Sequence, residues 1–200
     1  MALPDTDLNR RERKAQRTRR EIVRAACELV LEEGYERATI ARIAERADLA
    51  TRTVTTRFAS KEAIFFDGLN EALARVEQAL ERPDGDVVDR LRGWIAEMSQ
   101  LPALKEDDAE LRALRSRAID HDPELRALFG QHFDRAHDAI ARAVAATSGL
   151  APGSAGPQMI AAATVVMLRV VERLAAEDDE QASVELERGF EVLRGALTAL

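Results

Sequence analysis

The chain has 200 residues, 46% of them apolar, yet only one Trp, one Tyr and six Phe, so its core must come from Ala, Leu, Val and Ile, which suits helices. The net charge of −7 is unevenly spread: residues 1–62 carry 14 Lys and Arg against 11 Asp and Glu, and the rest 15 against 25. A basic head ahead of an acidic body excludes an anionic partner for the whole chain but not for the head, and the lone Cys27 excludes an internal disulfide.

The first residues, MALPDTDLNRRERKAQR, lack the apolar run of a signal peptide. Arg10, Arg11, Arg13, Lys14, Arg17, Arg19 and Arg20 form a basic arm, which either touches a DNA backbone or minor groove or is a solvated tail. The first helix is expected from about Thr18 to Glu33, with Ile22, Ala26, Leu29 and Val30 inward and Gly34 as its stop. Cys27 reads as a small buried side chain beside Val23 and Val30. Thr39 stands at an N-cap position, and Ile40, Ile43, Ala44 and Ala47 form the apolar face of a short helix. Asp48 and Leu49 interrupt the period. The next short segment turns Val54 and Phe58 inward and Thr51, Arg52, Thr53, Thr55, Thr56 and Arg57 outward. Hydroxyls and guanidinium groups with no carboxylate among them suit a major groove, where arginine forks match guanine edges and acids would repel phosphate.

In order and spacing, Gly34-Tyr35, Thr39, Ile43-Ala44, Leu49, Phe58 and Ser60-Lys61-Glu62 resemble the amino-terminal pattern of the tetracycline-repressor (TetR) family of bacterial regulators, over about Arg19 to Leu69. The resemblance implies a helix-turn-helix DNA-binding domain in residues 1–62, with the basic arm, and an effector-binding and dimerisation domain in 63–200. Thr39, Thr51, Arg52, Thr53, Thr55, Thr56, Arg57 and Lys61 would contact DNA, Lys61 as a phosphate ligand. Asp48 occupies the turn position where the family usually has Gly; aspartate tolerates a left-handed conformation at more cost. Thr55 stands where a phosphate-contacting Tyr is common, and Arg57 where His or Tyr is frequent.

Beyond the head, Ser60 should cap one long helix bearing Phe65, Leu69, Ala72, Leu73, Val76 and Leu80 and ending near Arg82-Pro83-Asp84-Gly85. Further helices are expected at about Asp86 to Gln100, Asp107 to Ile119 and Asp122 to Thr147, then a loop from Ser148 to Pro157, and helices at Gln158 to Ala176 and Gln181 to Ala199. The uncharged stretch from Gly149 to Leu168 is broken by Pro152, Gly153, Gly156 and Pro157, too short to span a bilayer. The fold class is therefore all-α with about nine helices, in a cytoplasmic protein with no membrane partner. Trp94 and Met98, and Phe129 and Phe133, each one turn apart, are candidate walls of a small-molecule effector pocket, with core packing as the alternative. Arg115, Arg117, His121 and His132 could add polar specificity. His132 and His137 lie five apart, poorly placed to share a metal, so no metal or cofactor is expected. Leu186, Phe190, Leu193, Leu197 and Leu200 form an apolar stripe, and the resemblance implies a homodimer through the last two helices, hence an inverted-repeat, palindromic operator in double-stranded DNA. No nucleophile elbow, phosphate loop, HExxH or paired carboxylates supports catalysis. A ligand-released repressor is the leading reading; the alternative is an all-helical enzyme or interaction protein with a reader-like amino-terminal bundle.

Overall fold

Stretches rich in Ala, Leu, Glu and Arg fold as helices throughout the described part of the chain. The computed structural model describes residues 5–82, 85–98, 109–175 and 178–200, the side chains of 5–9 and 67 excepted. Within these are ten helices and no strand: α1 (Asp5–Glu33), α2 (Ile40–Arg46), α3 (Thr51–Arg57), α4 (Lys61–Ala74), α5 (Val76–Leu80), α6 (Val87–Met98), α7 (Ala109–His121), α8 (Pro123–Ser148), α9 (Ala155–Ala175) and α10 (Asp179–Thr198). The expected helix ends at Gln100, Asp107 and Ala176, and the turn residues Pro83 and Asp84, lie outside the described residues. The chain divides into two compact units, residues 1–67 with 106–126, and residues 68–105 with 127–200.

In the first unit, α1 begins at Asp5, well before the expected Thr18. No Gly or Pro interrupts Asp5–Glu33, and Arg17 pairs with Glu21 one turn on at 2.9 Å, so helix propensity carries through the basic arm. Gly34, at φ +86°, ends it by donating its amide to the Val30 carbonyl at 2.9 Å. Ile22, Val23, Ala26, Cys27, Leu29 and Val30 are buried on the inward face, where α1 packs against α2 and α7.

In the second unit, the long helix expected from Ser60 is interrupted at Arg75. A tertiary contact marks the break: the Trp94 indole Nε1 donates to the Ala72 carbonyl at 3.1 Å, and the Arg75 amide takes the same carbonyl at 3.1 Å, so the ladder slips from i+4 to i+3 and α5 starts anew. Asp86 and Asp89 cap α6 reciprocally, each accepting the other's amide at 3.3 and 2.9 Å. α10 is capped by Asp178, whose Oδ1 accepts from Glu180 and Gln181 at 3.0 Å. α9 and α10 approach so closely at Gly189 that a Cβ there would collide with Met167 Sδ. Arg194 and Asp89 (2.6 Å) and Arg92 and Glu187 (2.7 Å) tie α10 to α6.

This packing corrects the expected apolar seam. Phe190 and Leu193 are 1% and 2% exposed and belong to the unit's own core, whereas Met159, Val166 and Val192 stand 70%, 58% and 65% open. Within the stripe Leu186 and Leu197 are half-buried and Leu200 is exposed, so only its middle is given to the core. Among the described residues, no helix is long and apolar enough to cross a membrane.

Candidate nucleic-acid interface

The reader is built from short-range rules. Thr39 Oγ1 accepts the Arg42 amide at 3.4 Å and starts α2. Asp48, at φ 53°, makes the left-handed turn, and Leu49 closes it by donating to the Ala44 carbonyl at 2.8 Å. α3 follows, anchored by buried Val54 and by Phe58, whose amide donates to Val54 O at 3.0 Å and ends the helix. Ser60 then caps α4 by accepting the Ala63 amide at 3.1 Å.

These anchors decide which side of α3 is left open. Thr51, Arg52, Thr55, Thr56 and Arg57 are exposed and Thr53 is half-buried. Thr55 and Thr56 both donate to the Arg52 carbonyl, at 3.2 and 2.7 Å, a local arrangement that leaves their lone pairs outward. Arg52 and Arg57 enter no ion pair among the described residues.

The arginines of α2 are placed differently. Arg42 makes a two-pronged pair with Glu33, one arm at 2.6 Å, and Arg46 reaches Glu32 at 3.0 Å and Glu28 at 3.5 Å. The Arg42 guanidinium holds the Glu33 carboxyl below its ordinary range, and Arg46 does the same to Glu32. Of four arginines in the reader, two brace α2 against α1 and two remain open to an anion. Residue types alone could not separate them, because Glu28, Glu32 and Glu33 belong to the preceding helix.

Lys61 sits between these roles. Its ammonium donates to the Tyr35 carbonyl at 2.8 Å and lies 3.7 Å over the Tyr35 ring, and burial pulls its pKa down, against Glu124, Asp122 and Glu36. One donor is committed and two remain. Tyr35 is buried against Phe65, ring centroids 5.7 Å apart, and burial pushes its phenol up to about 12.

Sequence reasoning missed Asp122. Its Oδ2 accepts the Tyr35 amide at 2.8 Å while its Oδ1 accepts that of Leu125 at 2.9 Å, so one carboxylate caps α8 and pins the loop after α1. Burial alone would raise it, but the amides of Leu125, Tyr35 and Glu124 outweigh that and hold it below its ordinary value. Asp122-Pro123-Glu124 is a favourable helix start in the sequence, but nothing there links it to Tyr35, 87 residues away.

The candidate effector residues all lie inside. Trp94 is 3% exposed with its indole donor spent on Ala72, and Met98 is buried on the same helix. Phe129 and Phe133 meet edge to face at 5.2 Å, with the Arg169 guanidinium 5.5 Å over Phe129. A separate open groove of about 460 Å³ is lined by Glu77, Leu80, Arg90, Ala139, Arg142 and Thr147 among others, and includes none of these four. Among the described residues no cluster of His, Cys, Asp and Glu could hold a metal ion.

Comparison with known proteins bears on this geometry directly. The profile described as "Bacterial regulatory proteins, tetR family" matches residues 22–67, and that of the "MftR C-terminal domain" matches residues 97–198. The HTH-type transcriptional regulator TcmR of Streptomyces glaucescens is 30% identical, covering 94% of this chain and 88% of its own. The chain belongs to the TetR family. It is thus a helix-turn-helix transcriptional regulator, and the residues matched by the first profile include α2 and α3. Two solved structures share the fold: NalD of Pseudomonas aeruginosa, the secondary repressor of the MexAB-OprM multidrug efflux pump, at 22% identity and TM-score 0.52 over 90% of this chain and 96% of its own, and the SmeT-triclosan complex at 21% and 0.55, over 91% and 90%.

Proposed function

We propose that this TetR-family regulator is a ligand-released repressor that binds an inverted-repeat operator as a homodimer. The observation that carries the reading is the open side of α3, where Arg52 and Arg57 stand among threonines and enter no ion pair with the described residues. In the proposal, Arg52 reads a base edge, Thr51, Thr53, Thr55, Thr56 and Arg57 line the groove, and Thr39 and Lys61 hold phosphate, Lys61 with its two remaining donors. Residues 1–62 act as the DNA-binding domain and 63–200 as the effector-binding and dimerisation domain. The open apolar surface of α9 and α10, centred on Met159, Val166 and Val192, pairs with its copy across a two-fold axis.

The effector is a small, largely apolar molecule held in the second unit against Met98, Phe129, Phe133 and Trp94. It releases DNA only if it favours one state over the other, and tenfold weakening requires about 1.4 kcal/mol of coupling. Duplex selection from a random library, followed by light scattering on the complex, tests the reading. The expected result is a palindromic site with half-sites about one helical turn apart, bound by an even number of protomers. A non-repeated site held by a monomer would overturn it.

A further inference from the structure

We infer that Asp122 is a positioning residue for DNA binding: through Tyr35 it holds the Lys61 ammonium in place for a phosphate of the DNA backbone. The inference rests on the reading of Lys61 as a phosphate ligand given above, and Tyr35, Lys61 and Asp122 all belong to the first unit.

A lysine ammonium rides on a long flexible stem, and freezing that stem at the moment of binding costs affinity. Here it is held beforehand. The Lys61 Nζ donates to the Tyr35 carbonyl at 2.8 Å and lies 3.7 Å from the centroid of the Tyr35 ring, so one residue grips it with two groups. Phe65, one turn along α4 from Lys61, packs edge to face against the same ring. Lys61 stays half-exposed, with two donors left for phosphate.

This grip is only as fixed as Tyr35 itself. Within its own turn, the Tyr35 carbonyl also accepts the Ala38 amide at 3.1 Å, while Gly34 before it, at φ +86°, has no side chain to hold the turn. The hydrogen bond that ties the turn to the start of α8 comes from Asp122. Its Oδ2 accepts the Tyr35 amide at 2.8 Å, so close to the turn that a Cβ on Gly34 would stand 3.4 Å from that oxygen. Its Oδ1 accepts the amide of fully buried Leu125 at 2.9 Å, which fixes the carboxylate at both ends. Asp122, Glu124 and Glu36 all draw on the Lys61 charge, but Asp122 is engaged by the amides of Leu125, Tyr35 and Glu124. It therefore steers Tyr35 without capturing the ammonium. Once Tyr35 is loose, Glu124 and Glu36 compete with phosphate for Lys61.

The test measures affinity across salt concentration for the full chain and for Asp122→Ser, Lys61→Ala and the double variant, on the duplex selected by the wild type and on a random duplex. Serine keeps the N-cap of α8, but one short hydroxyl cannot also reach the Tyr35 amide. Lys61→Ala should lose roughly five- to tenfold near 0.1 M salt on both duplexes, with the slope of log K against log salt shallower by about 0.9, the share of one phosphate contact. Asp122→Ser should show at least half of that change in slope, and adding it to Lys61→Ala should flatten the slope no further. Asp122→Asn, with one oxygen acceptor where two are used, should fall between Asp122→Ser and the wild type, and it carries the same test with the fold least disturbed. A merely structural Asp122 would lower affinity at every salt concentration with the slope unchanged, and that result overturns the inference, as does a further flattening in the double variant. A wild-type slope in Lys61→Ala would overturn the phosphate reading of Lys61 and the inference with it.

Discussion

Asp122→Ala removes the carboxylate that does two jobs, and its cost follows from the bonds it makes. Losing the N-cap of α8 costs about 0.5–2 kcal/mol. The Tyr35 amide, at the edge of a buried side chain, is then left without its acceptor, for about 1–3 kcal/mol. Together the first unit should lose roughly 2–4 kcal/mol, with partial water access as the main relief. Asn in the same place keeps one oxygen acceptor where two are used, so Asp122→Asn should lose about half as much. Because the chain has two units, one global melting curve is a poor readout, and hydrogen exchange at the Tyr35 amide is the direct one. The expected acceleration is at least tenfold in Asp122→Ala and smaller in Asp122→Asn. The effect should vanish in acid: a carboxylate with a lowered folded pKa contributes its stability above the unfolded value, near 4, and loses it as pH falls through the folded value. Exchange at Tyr35 that is unchanged by Asp122→Ala at neutral pH would refute the assignment of Asp122 as the pin.

Three further outcomes follow from the same structure. Trp94→Phe should cost about 1–2 kcal/mol, the indole hydrogen bond plus a small void, and Trp94→Ala about 3–5 kcal/mol, measured by urea denaturation of the second unit; a neutral Trp94→Ala would show that the indole does not set the break between α4 and α5. Val166→Glu with Val192→Glu should shift the protein to monomers in light scattering while each unit stays folded, whereas Leu193→Glu, placed in the core, should unfold the second unit; dimers surviving the valine pair would place the interface elsewhere. Tyr35, the only tyrosine, should titrate near pH 12 in the native protein and near 10 when denatured, read at 295 nm. A phenol with a raised folded pKa gives stability below pH 10 and loses it as pH rises through 12, so an ordinary native midpoint would contradict its burial.

What the sequence made legible was whatever depends on neighbours within a turn or two. Thr39, Ser60 and Gly34 mark helix ends because caps and stops are local chemistry, and Val54 and Phe58 turn inward because a seven-residue helix has one apolar side to offer. Asp48 was readable as a left-handed turn through the family resemblance, from its place where the family usually has Gly. Propensity also ran through Arg10–Arg20, but charge density concealed it, and the helix extends to Asp5. The rest depended on distant partners. The break at Arg75 is made by Trp94, 22 residues from Ala72. The separation of Arg42 and Arg46 from Arg52 and Arg57 is made by carboxylates of α1, and α7 joins the first unit through contacts with α1 that no periodicity encodes. That Phe190 and Leu193 go to the unit's own core depends on how its helices pack, with α9 and α10 closing tightly at Gly189.

The central claim, that α3 reads sequence while α2 is braced by α1, is tested most directly by base-preference profiles of Arg52→Ala and Arg42→Ala on a randomised operator library. Arg52→Ala should cost about 1–3 kcal/mol and relax preference at one position in each half-site. Arg42→Ala should leave every preference intact and lower affinity only as far as α2 loosens. Preference lost with Arg42→Ala and kept with Arg52→Ala would contradict the account.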